Sequence, residues 1–389
     1  MRSFTYCNPT KICFGNGAAG TAGAEAAAAG MRNVLLVYGK SSIKRNGVYD
    51  AVTASLKAAG VAWTEWPGVS PNPVLSHVHG GVRLAREIKA DGILAVGGGS
   101  VIDESKAIAL GVASARDVWD YYMGLAAPQA ALPLATVLTI PAAGSEMNGD
   151  TVVTHDETRE KRAVKYSGLS PRFSILDPEV TLTVPPDYVA YSASDAISHT
   201  IESFLTREPG FFPVQDGYAE GIVRAIMAST ERILADPKDV EARGAMMWAA
   251  TMAWNFIGSS GVGVWKTPAH MLEHPLSGMF DIAHGAGLAV TGPAWMTWES
   301  RRRTDRTAAF ARRIMDVRLD DDADAAAEGV ARFRAWLKKI GNPVTLTECG
   351  IAPDHIPELA RHAAILAGAW GTGAEYTPAV CAEILGIFV

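Results

Sequence analysis

Cysteine is scarce in this chain, with four among 389 residues and no pair in the CxxC spacing. Scattered thiols of this kind are typical of a reduced protein and indicate neither a disulfide framework nor a cysteine-based zinc site. An excess of positive charge is also absent, because 41 acidic side chains outnumber 35 basic ones. The net charge of -6 argues against a nucleic-acid partner, whose phosphates require a basic surface.

Long apolar runs and a secretion signal are lacking as well. No uninterrupted apolar stretch reaches the roughly 18 residues that a membrane-spanning helix needs. The opening stretch, MRSFTYCNPTKICFG, has neither the apolar centre nor the small-residue cleavage site of a signal peptide. We therefore expect a cytoplasmic protein without a membrane partner.

The first half of the chain alternates short apolar runs with helical patterns. The apolar runs predict strands at 34–39, 61–66, 92–100, 134–141, 151–155 and 173–178. Because these strands are apolar throughout and helical patterns lie between them, they indicate a parallel sheet that is covered on both faces. The Ala-rich segment 18–30 predicts a helix.

The pattern changes at the proline pair 185 and 186. Beyond this pair, apolar residues recur at helical spacing almost to the end of the chain, and β-rich runs disappear. The sequence therefore predicts an α/β domain over 1–185 and an all-α domain over 186–389.

A run of glycines separates a predicted strand from a predicted helix in AVGGGSVID. Gly97, Gly98 and Gly99, followed by Ser100, would let a phosphate approach the backbone N–H groups of a helix N-terminus. The run does not follow the GxGxxG spacing, because Ile102 stands in it, and a tight turn without a ligand is the alternative. Its position at the carboxyl end of a parallel strand favours phosphate binding.

No acidic residue stands at the end of the first predicted strand, where an NAD site commonly places one for the ribose hydroxyls. Gly39, Lys40 and Ser41 occupy that position instead. Gly39 leaves room for a 2′-phosphate on the ribose, and Lys40 and Ser41 supply a positive charge and hydrogen-bond donors for it. These residues favour NADP over NAD, with a solvated loop as the alternative.

A candidate metal site lies in the helical half. Asp195 and His199 are four residues apart in a predicted helix, so their side chains share one face. The pair is either half of a metal site or an ordinary polar contact. The segment PAHMLEHPLSGMFDIAHGAGLA adds His270, His274 and His284, and imidazoles with a carboxylate suit a divalent first-row metal. Spacing alone does not decide whether His274 or His284 completes the set.

Five blocks of the sequence resemble, in their order, the iron-containing (group III) alcohol dehydrogenase family. They are GGGSVIDESKAIA, TIPAAGSEMN, FSILDPEVT, DAISHTIE and HMLEHPLSGMFDIAHGAGLA. The resemblance covers almost the whole chain and is strongest for the branch of NADPH-dependent butanol dehydrogenases and aldehyde reductases. It implies a Rossmann-like dinucleotide-binding domain, a helical metal-binding domain of dehydroquinate synthase-like architecture, and a catalytic cleft between them.

The resemblance also implies roles that spacing leaves open. The implied metal ligands are Asp195, His199, His270 and His284. His274 falls on the family's active-site histidine, a proton relay, and Asp103 falls near the same cleft as a second catalytic residue. The implied cofactor-binding residues, with Asn72 assigned to the same site, are Gly39, Lys40, Ser41, Asn72, Gly97, Gly98, Gly99, Ser100, Thr139 and Lys161.

The implied activity is hydride transfer between NADP(H), or else NAD(H), and a small primary alcohol or aldehyde. Iron is the favoured metal, although three imidazoles and a carboxylate also accept zinc, cobalt or nickel. A polyol (glycerol-type) dehydrogenase or a dehydroquinate synthase-like lyase is the alternative on the same fold. A metal-dependent hydrolase and a nucleotide-sensing protein are alternatives from other classes. The resemblance further implies a homodimer or a larger homo-oligomer.

Overall fold

The computed structural model describes residues 1–389, which form two compact units. The α/β unit comprises Cys7–Val184 and Lys238–Asn255, and the helical unit comprises Met1–Tyr6, Pro185–Pro237 and Phe256–Val389. These units differ from the expected division into 1–185 and 186–389 at the first six residues, at residue 185 and at 238–255. Helical periodicity could not assign the segment 238–255, because it does not show which core a helix packs against.

All strands lie in the α/β unit. They are β1 (Lys11–Phe14), β2 (Asn33–Tyr38), β3 (Ala62–Pro67), β4 (Gly92–Gly97), β5 (Leu134–Leu138), β6 (Asp150–Thr154), β7 (Lys161–Lys165) and β8 (Phe173–Leu176). Its α-helices are α1 (Ala22–Ala28), α2 (Ser42–Arg45), α3 (Val48–Ala58), α4 (Leu75–Glu87), α5 (Gly99–Val112), α6 (Trp119–Tyr122) and α9 (Val240–Ala253). Short 3₁₀ turns occur at Ala18–Thr21, Ser145–Met147, Ser167–Leu169 and Pro178–Thr183.

Six of the strands form one parallel sheet in the order β1-β8-β5-β4-β2-β3. The prediction of a parallel sheet is confirmed. The run at 151–155 was wrongly included in it, because β6 pairs antiparallel with β7 in a separate two-stranded sheet. Neither β1 nor β7 was predicted, since both are short, β1 begins with a lysine, and β7 has lysine or arginine at three of its five positions.

Alternate residues of the central strands pack on opposite faces of the sheet. On β2, Leu35 and Val37 belong to one buried core, which includes residues of α4 and α5. Val34 and Leu36 belong to the other core, which includes residues of α1 and α3. Burial on both faces explains the continuous apolar runs. Because β2 and β4 are parallel neighbours, the loops that follow them lie at the same edge of the sheet.

The helical unit contains no strand. Its α-helices are α7 (Pro186–Thr206), α8 (Pro213–Ala235), α10 (Pro268–Phe280), α11 (His284–Glu299), α12 (Thr304–Ile314), α13 (Asp322–Lys339), α14 (Ile356–Ala369) and α15 (Pro378–Leu385). Two 3₁₀ turns occur at Ile257–Ser259 and Pro353–His355. None of the helices of the protein has the length and apolar character required to cross a membrane.

Helices α7 and α11 approach each other at backbone distance. A Cβ atom added at Gly285 would lie 2.0 Å from the carbonyl oxygen of Tyr191, so only glycine fits there. Ser194 Oγ donates a hydrogen bond to the carbonyl oxygen of Gly285. This contact brings residue 195 on α7 close to residue 284 on α11.

Candidate active site

Three imidazole side chains of the helical unit converge on one carboxylate oxygen, that of Asp195. Asp195 and His199 project from α7, His270 projects from α10, and His284 is the first residue of α11. The Nε2 atoms of His199, His270 and His284 lie 3.5, 3.6 and 3.9 Å from Asp195 Oδ1. These distances exceed the roughly 2.7–3.2 Å of an ordinary N–H···O hydrogen bond. Three imidazole nitrogens therefore surround one oxygen at a common, longer separation.

This separation is that of ligand atoms around a metal. Ligands about 2.1 Å from a tetrahedral metal ion are about 3.4 Å from one another. Asp195 Oδ1 is also buried without a hydrogen-bond partner, whereas buried polar atoms normally have one. The residues thus fit a divalent first-row metal, for which imidazole and carboxylate are suitable ligands.

The carboxylate and the imidazoles of this cluster shift each other's pKa. Burial opposes ionisation of Asp195, but the nearby imidazoles of His199, His270 and His284 hold the pKa of its carboxyl well below the usual range. Burial also lowers the pKa of His270, but the carboxylates of Glu202 and Asp195 outweigh this effect and raise it to about 10. Metal binding at the His270 nitrogen must therefore release a proton.

Two buried glutamates contact the far nitrogens of two of these imidazoles. The Glu202 carboxylate accepts a hydrogen bond from His270 Nδ1, and the Glu273 carboxylate accepts one from His284 Nδ1. A histidine that donates through Nδ1 offers its Nε2 lone pair to a metal. The sequence analysis missed both glutamates.

His274, the predicted proton relay, lies one helical turn after His270 on α10. It is buried, and its ring centroid lies 5.8 Å from that of His284 and 5.4 Å from that of Trp370. Asp195, His199 and His270 offer ligand atoms within 4.8 Å of one another, whereas His284 is grouped in this way with Glu273 and His274, which form a rival metal-binding group. In this group, however, the Glu273 carboxylate is already bonded to His284 Nδ1. The Asp195 group is therefore the better candidate.

The glycine run lies where β4 ends and α5 begins. Gly98 is the N-cap of α5 and Gly99 its first residue. The Val101 N–H donates to the carbonyl oxygen of Gly98 at 3.0 Å, but helix geometry provides no partner within the helix for the N–H groups of Gly99 and Ser100. A Cβ atom added at Gly97 would lie 2.4 Å from Val101 Cγ2, and one added at Gly99 would lie 2.9 Å from Ala143 Cβ. Packing alone therefore requires glycine at both positions, and the loop also leaves N–H groups that suit a phosphate.

Hydrogen bonds within the α/β unit organise the other predicted cofactor residues near this loop. Ser100 Oγ donates to the carbonyl oxygen of Pro71. The Thr139 N–H donates to the carbonyl oxygen of Gly97 at 3.0 Å. Lys161, the first residue of β7, donates from Nζ to Asn72 Oδ1 at 3.1 Å, and both residues are buried.

The predicted ribose-contacting residues follow β2 directly. A Cβ atom added at Gly39 would contact only the carbonyl oxygen of Val69, at 3.7 Å. Packing thus leaves space for a side chain at residue 39. Lys40 and Ser41 are exposed at the same edge of the sheet as the glycine run.

Asp103, a predicted catalytic residue on α5, belongs to a hydrogen-bonded cluster. Its carboxylate accepts from Ser145 Oγ at 2.6 Å and from the Val152 N–H at 3.0 Å. Burial raises the pKa of Asp103 to about 6, although the nearby Lys106 ammonium opposes the change. Because the protein binds both carboxylate oxygens, the geometry gives Asp103 a structural role, and its catalytic role stays a prediction.

Lys106, which the sequence analysis missed, completes this cluster. The residue is fully buried, and its three N–H donors face four oxygens that lie 2.7 to 3.1 Å from Nζ, two of them on Ser145 and the others on Asn148 and Asp150. Burial lowers the pKa of Lys106 to about 8, against the attraction of Asp103. The cluster ties α5 to the segment 145–150.

Two family models match this chain. Residues 9–178 match the model described as iron-containing alcohol dehydrogenase. Residues 189–388 match the model for the C-terminal part of the Fe-containing alcohol dehydrogenase family.

Individual relatives match over nearly the whole length. The chain is 38% identical over 390 residues to the NADH-dependent butanol dehydrogenase A of Clostridium acetobutylicum, which covers 100% of this chain and 99% of the relative. It is 35% identical over 369 residues to the NADPH-dependent aldehyde reductase YqhD of Escherichia coli, and the alignment covers 93% of this chain and 92% of the relative. The crystal structure of butanol dehydrogenase A from Thermotoga maritima superposes with a TM-score of 0.97 at 40% identity and covers 100% of this chain and 99% of that one.

Proposed function

Because this chain belongs to the iron-containing alcohol dehydrogenase family, we propose that it reduces small uncharged aldehydes with NADPH at a metal held in its helical unit. The chain is an NAD(P)-dependent, metal-dependent alcohol dehydrogenase of the butanol dehydrogenase and aldehyde reductase branch. The proposed metal ligands are Asp195, His199, His270 and His284. The observation that supports them most strongly is the convergence of three Nε2 atoms, at 3.5 to 3.9 Å, on a buried carboxylate oxygen that lacks a hydrogen bond.

In this proposal the residues of the helical unit bind, orient and protonate the substrate oxygen. When bound, a divalent metal supplies Lewis acidity and a reduced nicotinamide supplies the hydride. Asp195 and three neutral imidazoles carry a single negative charge. With a divalent cation bound, the site would therefore keep a net positive charge that attracts a carbonyl oxygen. His274 is buried beside His284, and an imidazole, with an ordinary pKa of about 6.5, is suited to transfer a proton near neutral pH. The ring of Trp370 restricts the orientation of His274.

The proposed preference for NADPH rests on the loop after β2. Gly39 places no carboxylate where it would repel a 2′-phosphate, and Lys40 is exposed beside it. Arg45, one turn further on, reaches Ser41 Oγ and adds a second positive charge. Lys44, by contrast, is held by Glu65 at 3.0 Å. Similar proteins are named for NADH as well as for NADPH, so similarity to them does not decide the preference.

The cofactor preference is tested by steady-state kinetics with both nucleotides. Wild-type kcat/KM should be higher with NADPH than with NADH. Gly39→Asp should lower the NADPH value by roughly tenfold, because a carboxylate would face the 2′-phosphate, and should leave or improve the NADH value. Gly39→Ala, a matched control without charge, should keep the wild-type preference. A wild-type enzyme that prefers NADH would contradict this part of the proposal.

We further propose iron as the native metal, a cytoplasmic location and a homodimer. Metal analysis of protein purified without added metal tests the first, cell fractionation the second, and light scattering after size-exclusion chromatography the third. A bound metal other than iron, a secreted or membrane-associated protein, or a monomeric mass would contradict the respective part.

The activity is tested by NADPH oxidation against a series of short aldehydes, before and after metal removal. We expect turnover of uncharged aldehydes, loss of turnover on chelation, and recovery when a divalent metal is returned. Undiminished turnover in protein shown to be free of metal would contradict the proposed role of the site.

A further inference from the structure

The sequence His-x-x-Glu occurs on two of the helices that carry proposed ligands. It spans His199 to Glu202 on α7 and His270 to Glu273 on α10. In each segment the histidine faces the central carboxylate, and the glutamate bonds Nδ1 of the histidine on the next of the three helices. Glu202 thus bonds His270, and Glu273 bonds His284. The three ligand-bearing helices are linked in series by these two contacts.

Glu202 connects the position of an imidazole to the start of its own helix. Its side chain is fully buried. One carboxylate oxygen accepts from the N–H groups of Ala269 and His270, at 2.5 and 3.3 Å, and the other oxygen accepts from His270 Nδ1. These N–H groups belong to the first turn of α10, which has no partners for them within the helix. Both the backbone and the ring of His270 are therefore held by one carboxylate.

Glu273 depends on a glycine on the facing helix. It is fully buried, and its carboxylate bonds His284 Nδ1. A Cβ atom added at Gly287 would lie 2.7 Å from Glu273 Cγ and 2.8 Å from its Oε1. Gly287 lies one helical turn after His284 on α11. The absence of a side chain there leaves the space in which the carboxylate reaches the imidazole.

We infer that Glu202 and Glu273 are positioning residues of the metal centre, and that Gly287 provides the space that Glu273 requires. Each glutamate holds one imidazole with Nδ1 as a donor and Nε2 directed at the metal, and the negative charge increases the basicity of Nε2. Two carboxylates beyond the ligands also balance the charge of a buried cation. This inference rests on the ligand set proposed above. Removal of such partners typically weakens metal binding by about 10- to 100-fold.

The test measures Co²⁺ affinity and the visible spectrum of the Co²⁺-loaded full chain. Metal-free wild type, Glu273→Gln and Gly287→Ala are titrated with Co²⁺ in competition with a chelating dye. Both variants should bind about 10- to 100-fold more weakly and show altered visible bands, because the geometry at His284 changes. Gly287→Ala keeps the glutamate and, by helix propensity alone, would favour α11. Its loss of affinity would therefore not result from a less stable helix.

Glu104→Gln serves as a matched control. Glu104 is a fully buried glutamate that bonds His77 Nδ1 at 2.6 Å in the α/β unit, with no proposed ligand involved. Its variant should bind Co²⁺ with wild-type affinity and spectrum. Circular dichroism of each metal-free variant establishes that it is folded. If either Glu273→Gln or Gly287→Ala fails to fold, the Co²⁺ affinity and spectrum of the other variant test the inference.

The outcomes separate this inference from the ligand assignment. Wild-type affinity and spectrum in Glu273→Gln and Gly287→Ala, with affinity lost in Asp195→Asn, would overturn the inference and leave the ligand set intact. Wild-type affinity in Asp195→Asn would overturn the ligand set itself. Weakened binding in Glu104→Gln equal to that of the test variants would also overturn the inference, because the effect would then not be specific to the site.

Discussion

Two buried charged clusters, one in each unit, differ in how their polar atoms are satisfied. In the α/β unit, four oxygens lie within hydrogen-bond distance of Lys106 Nζ, at 2.7 to 3.1 Å, so all three of its N–H donors have partners. In the helical unit, three Nε2 atoms stand 3.5 to 3.9 Å from Asp195 Oδ1, which has no hydrogen-bond partner. A complete set of hydrogen bonds indicates a cluster that stabilises the fold. Imidazole nitrogens and a carboxylate oxygen that converge without hydrogen bonds between them indicate a site for a metal cation, which their lone pairs can bind.

The largest effect is expected from His270→Ala in the helical cluster. The variant should lose bound metal and turnover together, because one of four ligands and its partner Glu202 no longer act. Metal analysis and NADPH oxidation measure the two properties. Full metal occupancy with normal activity would refute the ligand assignment and remove the distinction between the clusters.

His274→Ala, four residues away on the same helix, should separate metal binding from catalysis. We expect the metal to stay bound and the rate to fall by about 10²- to 10⁴-fold, the usual contribution of a general acid or base. The pH dependence of kcat should change as well, since the imidazole no longer titrates. Loss of metal from this variant would mean that His274 and His284 have exchanged roles.

Lys106→Met tests the other side of the comparison. Removing the ammonium leaves buried oxygens and Asp103 without their partner, so the free energy of unfolding should fall by about 3–5 kcal/mol. Urea denaturation measures this change. Metal content per folded molecule should equal that of the wild type. Unchanged stability would show that the hydrogen bonds of Lys106 do not stabilise the α/β unit.

The smallest effect is expected for the pH dependence that Asp103 contributes. Burial raises the pKa of its carboxyl from the model-compound value of 3.8 to about 6 in the folded protein. Between these values the folded state binds more protons than the unfolded state, so the free energy of unfolding falls as pH rises through this window. Because the Asp103 side chain is half-buried rather than fully buried, solvent screens part of this effect, and we expect the decrease to be of the order of 1 kcal/mol.

Asp103→Asn should remove that part of the pH dependence, because the amide does not ionise. Denaturant unfolding of the wild type and the variant at pH 4, 5 and 6 gives the slope of the free energy of unfolding against pH for each protein. Identical slopes would contradict the raised pKa. Normal aldehyde reduction by the folded variant would leave Asp103 with its structural role alone.

Sequence alone predicted the fold better than the interior of the site. The six apolar runs all correspond to strands. In the central strands β2, β4 and β5, burial on both faces leaves a continuous apolar pattern. Helix α9 lies in the compact unit that contains the strands, whereas the expected boundary places its residues in the helical domain, since periodicity does not identify the core that a helix packs against.

Residue chemistry explains which site residues could be found. Histidine and aspartate at helical spacing indicate metal chemistry by themselves, so Asp195 and His199 were candidates from the start. Glu202, Glu273 and Lys106 are ordinary residues of polar helix positions, and only tertiary packing buries them. The repeated His-x-x-Glu spacing was the one available signal for the two glutamates. The choice between His274 and His284 depended on family resemblance and stays a prediction. His284 Nε2 lies 3.9 Å from Asp195 Oδ1, but His284 also offers a ligand atom within 4.8 Å of those of Glu273 and His274.

The most direct test is anomalous X-ray diffraction from crystals of the Co²⁺-loaded enzyme. We predict a single metal peak about 2.0–2.4 Å from Asp195 Oδ1 and from the Nε2 atoms of the three histidines 199, 270 and 284, with His274 outside the coordination shell. A peak coordinated instead by Glu273, His274 and His284 would contradict the proposed centre.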